Sequence, residues 1–205
     1  MARRASLAAG LLALAACTQA VAERAEPAPV AAPAPAVDVL LPRNDLAGLP
    51  NFARVSAELY RGAQPTAEGL QRLREMGVKT VVNLRDLHSD RDELAGLGLR
   101  YAHIHCKAWH PEEEDVVRFL SIVTDPGNQP VFVHCQHGAD RTGMMVAAYR
   151  VAAQGWTAEE AAEELPRFGF HSIWKDILET VRSLDREKLR DRMAELPRRE
   201  LETVR

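Results

Sequence analysis

Three apolar residues, Val131-Phe132-Val133, run into His134-Cys135, and five more, Gln136-His-Gly-Ala-Asp140, lead to Arg141, Thr142 and Gly143. Met144 to Tyr149 then read as a helix. A short apolar run closed by a glycine-containing loop is a buried strand, so the stretch is a strand–loop–helix corner. Few folds accommodate this order. The strand belongs inside a mostly parallel sheet covered by helices, with the loop at its carboxyl edge, where such sheets bind ligands.

Such a corner is an anion site. The loop's N–H groups converge as a nest, and the helix N-terminus adds the positive end of its dipole. Gly138 suits a position where a Cβ would crowd the loop or forbid a positive φ. Arg141 offers a planar fork for two phosphate oxygens. Cys135 stands at the start of this bowl. A cysteine beside a cation at a helix N-terminus is largely thiolate near neutral pH. Beneath a bound phosphate, a thiolate is a nucleophile aimed at phosphorus.

His134-Cys135-x5-Arg141-Thr142 resembles the signature loop of cysteine-based protein tyrosine phosphatases, of the small dual-specificity type in its bacterial secreted branch. Leu59-Tyr-Arg-Gly-Ala-Gln-Pro65, Val78-Lys-Thr-Val-Val-Asn-Leu-Arg85 and the stretch from Tyr149 to Trp156 are similar to that branch as well, so the likeness covers roughly residues 52–175. The resemblance implies a two-step phosphomonoester hydrolase. Cys135 takes the phosphoryl group and water releases it. The loop Gln136, His137, Gly138, Ala139, Asp140 and Arg141 binds the phosphate, Thr142 hydrogen-bonds the Cys135 sulfur, and His134 supports the loop from behind.

A general acid must protonate the leaving oxygen. The family supplies an Asp from the loop after the preceding strand, but here Ala108-Trp109-His110 carries no carboxylate at that place. Asp140 and Glu112 are the candidates, with His110 third, while Asp115 reads as helix surface. Cys106 ends the preceding strand, and a reversible disulfide with Cys135 is one expectation. A small core residue is the other.

The remaining chain is consistent with one α/β domain over residues 43–205. Short strands are expected near 52–55 and 59–61, then at 78–84 and 99–106. Thr66 caps a helix that Gly77 ends. Further helices follow from Glu112 to Val123, over 141–154, and from a Thr157/Glu160 capping box to Leu165. Ser172 is expected to cap the next helix, and 185–203 reads as a charged amphipathic helix. The loop 85–92, with Asp86, Asp90 and Asp92, reads as solvated, although the resemblance places it beside the site.

Met1-Ala-Arg-Arg and the apolar Ala5 to Ala16 form a signal-peptide pattern too short to span a bilayer. Leu14-Ala-Ala-Cys17 resembles a lipobox, which makes Cys17 the lipid-bearing residue of an exported protein, periplasmic and anchored to the outer membrane. Cleavage after Ala22 is the alternative and leaves a soluble periplasmic protein. The Ala/Pro-rich residues 17–42 read as an extended tether.

With net charge −3 the chain lacks the basic balance of a nucleic-acid binder, and three cysteines make no disulfide framework. His103, His105, His110, His134 and His137 have no spacing typical of a zinc site, so neither metal nor other cofactor is expected. The expected partner is a phosphorylated protein, with a phosphoinositide or other small phosphate ester as the alternative and a non-catalytic phosphate-binding module as the second. The absence of Lys among Gln136, His137 and Ala139 favours a singly phosphorylated group.

Overall fold

The computed structural model describes residues 39–196 and 201–204, so the expected signal peptide, Cys17 and nearly all of the tether lie outside the described residues. In chain order come β1 (Ala53–Arg54), β2 (Leu59–Gly62), α1 (Ala67–Glu75), β3 (Thr80–Asn83), α2 (Arg91–Leu94), β4 (Arg100–His103), α3 (Glu113–Val123), β5 (Val131–His134) and α4 (Asp140–Tyr149). A π-helical turn over Arg150–Gln154, α5 (Ala158–Glu164), a 3-10 turn over Leu165–Phe168, α6 (Lys175–Arg182), α7 (Arg186–Glu195) and β6 (Glu202–Thr203) complete it.

The sheet order is β1-β2-β5-β3-β4-β6. β2, β5, β3 and β4 run parallel, while β1 and β6 add antiparallel edges. This is the expected α/β layer sandwich. β5 lies between two parallel neighbours, which is why Val131, Phe132 and Val133 are all apolar. One core packs α3, α4, α5 and α6 on one face, through residues such as Phe119, Leu120, Met144, Met145 and Ile177. A second, smaller core on the other face holds Leu70, Leu73, Val81, Leu94 and Phe132. Each such side chain contributes roughly 2 kcal/mol through the apolar surface it removes from water.

Local signals behave as expected over most of the chain. Thr66 Oγ1 accepts the Gly69 N–H at the start of α1, and both halves of the Thr157/Glu160 capping box form. The helix after the loop runs on through its π turn to Gly155, whose φ of +85° closes it.

Three boundaries differ. The strand expected over 99–106 is β4, which stops at His103, so Cys106 lies three residues past its end. Ser172 caps nothing, because α6 begins only at Lys175. The preceding segment is drawn aside by His171, whose N–H donates to Asp140 Oδ1 at 2.8 Å. The helix expected over 185–203 stops at Glu195. Leu196 is extended (ψ 130°), as a residue before proline prefers. The chain then returns as β6, which pairs with β4 and buries Val204 in the second core.

Candidate active site

β5 delivers Cys135 to the middle of the sheet's carboxyl edge, where the side chain is 1% exposed. Three of the loop's carbonyl groups are held by donors outside it, and a fourth is held by α4 itself. His134 Nδ1 lies 3.4 Å from the Cys135 oxygen. The Gln64 N–H donates to the Gln136 oxygen at 3.2 Å. Asn51 Nδ2 donates to the His137 oxygen at 2.9 Å. Arg61 Nη2 donates to the Gly138 oxygen at 2.8 Å. The Gly143 N–H donates to the Ala139 oxygen at 2.9 Å. In a trans peptide the N–H points opposite to the C=O. The four carbonyls of residues 136–139, drawn outward, therefore turn the amides of residues 137–140 inward. The result is an anion nest continuous with the N-terminus of α4.

Gly138 is required twice. Its φ is +69°, and a Cβ there would stand 2.5 Å from the Gly62 carbonyl carbon and 2.6 Å from the Ala63 nitrogen. The backbone of Gly62-Ala63-Gln64 thus forms the wall against which the loop folds. Arg61, on the strand leading to that wall, is 1% exposed. Its guanidinium lies 3.6 Å from the centre of the Phe168 ring and 3.8 Å from Glu164. Burial lowers its pKa to about 10, opposed by the charges of Glu164 and Cys135, so it stays a cation at neutral pH.

Arg141 is half-buried. Its Nη1 donates to the carbonyl oxygens of Leu84 at 3.2 Å and Cys106 at 3.3 Å. Leu84 follows β3 directly and Cys106 lies three residues past β4, so the segments leaving two strands brace the guanidinium across the nest. Behind Cys135, His134 Nε2 lies 2.8 Å from Asp90 Oδ2. Asp90 Oδ1 accepts from Gln64 Nε2 at 2.8 Å, and Gln64 Oε1 accepts from Arg85 Nη1 at 3.0 Å. The loop 85–92 is therefore not simply solvated: Asp90 is fully buried, because it is the partner of His134. Burial resists its ionisation. The hydrogen bonds and charges of His134, Gln64 and His88 outweigh that and hold its carboxyl below the ordinary 3.8.

The remaining expected residues divide. Gln136 and His137 are exposed, whereas Gly138, Ala139 and Asp140 are buried. Thr142 Oγ1 is buried but has no hydrogen-bond partner among the described residues, so the expected bond to the Cys135 sulfur is not made. Asp140 accepts the backbone N–H of His171 and lies 3.0 Å from its Nδ1 through Oδ2, an engagement at odds with proton delivery. Glu112 is exposed at the N-cap of α3, where its side chain makes no capping bond. His110 is exposed beside it. Asp115 is not plain helix surface. It is half-buried near the Cys106 thiol, and burial, with Glu112 nearby, raises its pKa. Cys106 and Cys135 are both free and buried. Burial, with Asp115 alongside, pushes the Cys106 thiol up to about 12.

Sequence reasoning missed Asn51, Arg61, Gln64, Asp90 and His171 as parts of the site. The Leu59–Pro65 stretch carried a signal for Arg61 and Gln64, and the resemblance placed the loop that holds Asp90 beside the site, but neither signal gave a role.

A family model described as "DSP-PTPase phosphatase fused to NAD+ Kinase" matches residues 45–179. The chain is 35% identical over 151 residues to the dual specificity protein phosphatase TpbA of Pseudomonas aeruginosa, covering 70% of this chain and 67% of that one. The crystal structure of TpbA matches with a TM-score of 0.63 at 34% identity, over 70% of this chain and 90% of that one, and TpbA has also been solved in complex with phosphotyrosine. An inositol diphosphatase of Saccharomyces cerevisiae is 29% identical over 129 residues, 58% of this chain and 46% of its own length.

Proposed function

The chain belongs to the dual-specificity family of cysteine phosphatases and is an enzyme of that class, and from that premise we propose that it hydrolyses phosphotyrosine and related protein phosphomonoesters through a cysteinyl-phosphate at Cys135. The observation that carries this reading is the set of four outward-held carbonyls, of residues 136–139, with the braced Arg141 beside the buried Cys135 thiol.

In the proposed sequence the Cys135 sulfur attacks phosphorus and the ester oxygen leaves with a proton. The equatorial oxygens lie against the amides of residues 137–140 and the Arg141 fork, groups already oriented before charge develops. Water then attacks the thiophosphate, releasing inorganic phosphate and restoring the thiol. With both Asp140 oxygens directed to His171, Glu112 is the carboxylate we assign to leaving-group protonation. TpbA's complex with phosphotyrosine supports a singly phosphorylated aryl ester as substrate, as does the lack of Lys among Gln136, His137 and Ala139.

Export and anchoring form part of the same proposal. Residues 1–16 act as the signal, Cys17 carries the lipid, and residues 18–42 hold the domain away from a membrane surface on the periplasmic side. Incorporation of labelled palmitate that Cys17→Ser abolishes tests this arm on its own.

For the activity, phosphate release by the full chain under reducing conditions is followed on phosphotyrosine peptide, phosphoserine peptide and an inositol polyphosphate. Release from the phosphotyrosine peptide that Cys135→Ser abolishes supports the reading. Release from the inositol polyphosphate alone transfers the substrate to the small-ester class.

A further inference from the structure

His137 lies within the phosphate loop, Asp140 at the first position of α4, and His171 on the segment leading to α6. One nitrogen or oxygen from each lies within 4.8 Å of the others. His171 Nδ1 is 3.0 Å from Asp140 Oδ2 and 3.1 Å from Oδ1. The His137 and His171 rings meet edge to face with centroids 5.7 Å apart. Asp140 is buried and both histidines are exposed, so an ion can reach the cluster from solvent.

The two segments that carry these ligands are fastened to each other. Asn51 Nδ2 donates both to the His137 oxygen at 2.9 Å and to the Phe168 oxygen at 3.0 Å. The His171 N–H adds its bond to Asp140 at 2.8 Å. The ligands thus converge on a backbone that is already tied together.

We propose that His137, Asp140 and His171 form a three-ligand site for a divalent transition metal of the zinc type, at the rim of the phosphate loop. Two imidazoles and one carboxylate are the donor set such ions prefer, whereas calcium and magnesium favour oxygen ligands. Bonds of about 2.0–2.2 Å set ligand atoms about 3.5 Å apart, so the His171–Asp140 pair, now at 3.0 Å, opens slightly while His137 draws in from within 4.8 Å. The exposed His137 side chain is the one that moves in. A metal there replaces the hydrogen bond between His171 Nδ1 and Asp140, and three protein ligands leave a position open to water or an anion. The site spans the loop and the 169–171 segment, so occupancy stabilises the folded chain.

The test is a Co2+ titration of the metal-stripped full chain, followed by visible absorption and repeated as Zn2+ calorimetry. The expected result is one saturable site without sulfur-to-metal charge-transfer bands. Affinity is retained in Cys135→Ser and falls at least tenfold in His171→Asn and in His137→Gln. The melting temperature rises with metal in wild type and not in His171→Asn. Echo-modulation spectroscopy on Cu2+-loaded wild type, which needs no variant to fold, is expected to show two imidazole nitrogens. No saturable binding, thiolate bands, one imidazole or none, or undiminished affinity in the two histidine variants would overturn the site. Binding is read without turnover, so its failure is distinct from failure of the phosphatase reading.

Discussion

Asp90 accepts a hydrogen bond from His134 Nε2 at 2.8 Å, with both side chains fully buried. The residue behind the nucleophile is therefore held by a carboxylate 44 positions away, and that carboxylate is in turn held by Gln64. Asp90→Ala leaves His134 unpaired in the interior. The expected cost is about 3 kcal/mol of unfolding free energy, read from urea melts, together with loss of phosphate release.

The same pair sets an acid limit. The Asp90 carboxyl titrates below its ordinary 3.8 in the folded chain, so the unfolded chain binds the proton more readily. Its stabilisation is complete above pH values near 3.8 and is lost as pH falls through the lower folded value. Urea midpoints measured downward from pH 5 are expected to fall more steeply in wild type than in Asp90→Asn.

Gly138→Ala places a Cβ against the Gly62–Ala63 backbone in a conformation that L residues rarely adopt. The loop has to move for the methyl to fit. A loss of activity of about 100-fold or more is expected, corresponding to roughly 3 kcal/mol of transition-state stabilisation, while circular dichroism still shows the α/β fold.

Arg61→Lys keeps a buried cation but loses the planar fork that meets both the Gly138 carbonyl and the Phe168 ring. A fall in kcat/KM of about tenfold is expected, in line with one charge-assisted hydrogen bond. Comparing phosphate release with inorganic-phosphate inhibition measures how far the nest has loosened.

If Glu112 delivers the leaving-group proton, its removal weighs most where the leaving oxygen is most basic. Glu112→Gln is expected to slow alkyl phosphates at least tenfold more than nitrophenyl phosphate, whereas Asp140→Asn slows both alike. Steady-state kcat on the two substrates distinguishes them.

Cys106 has a thiol pushed up to about 12, so its thiolate is scarce at neutral pH and it attacks an oxidised Cys135 slowly. Peroxide-treated protein, mapped without reduction, is expected to yield no Cys106–Cys135 peptide before Cys135 oxidises further.

The phosphate corner was legible because it is local: strand, loop, Cys135, Arg141 and helix follow one another without interruption. The parallel sheet followed from the same alternation of apolar runs and capped helices. What escaped reading joins distant segments. Asn51 reaches His137 across 86 positions and Arg61 reaches Gly138 across 77. No periodicity marks a single polar residue that will be buried by a partner, so Asp90 looked like any charge in a charged loop. Ser172 failed as a cap because its neighbour His171 is committed to Asp140. β6 is two residues long, too short to leave an alternating pattern.

β5 is paired along its length on both sides, to β2 and to β3. Its amides cannot meet water by fraying of an edge, because neither side of the strand is an edge. Deuterium should enter Phe132 to His134 only when the whole sheet opens, at a rate set by the global free energy of unfolding, while the antiparallel margins at β1 and β6 exchange far sooner. The strand that aims the nucleophile is then also the last part of the molecule to come apart.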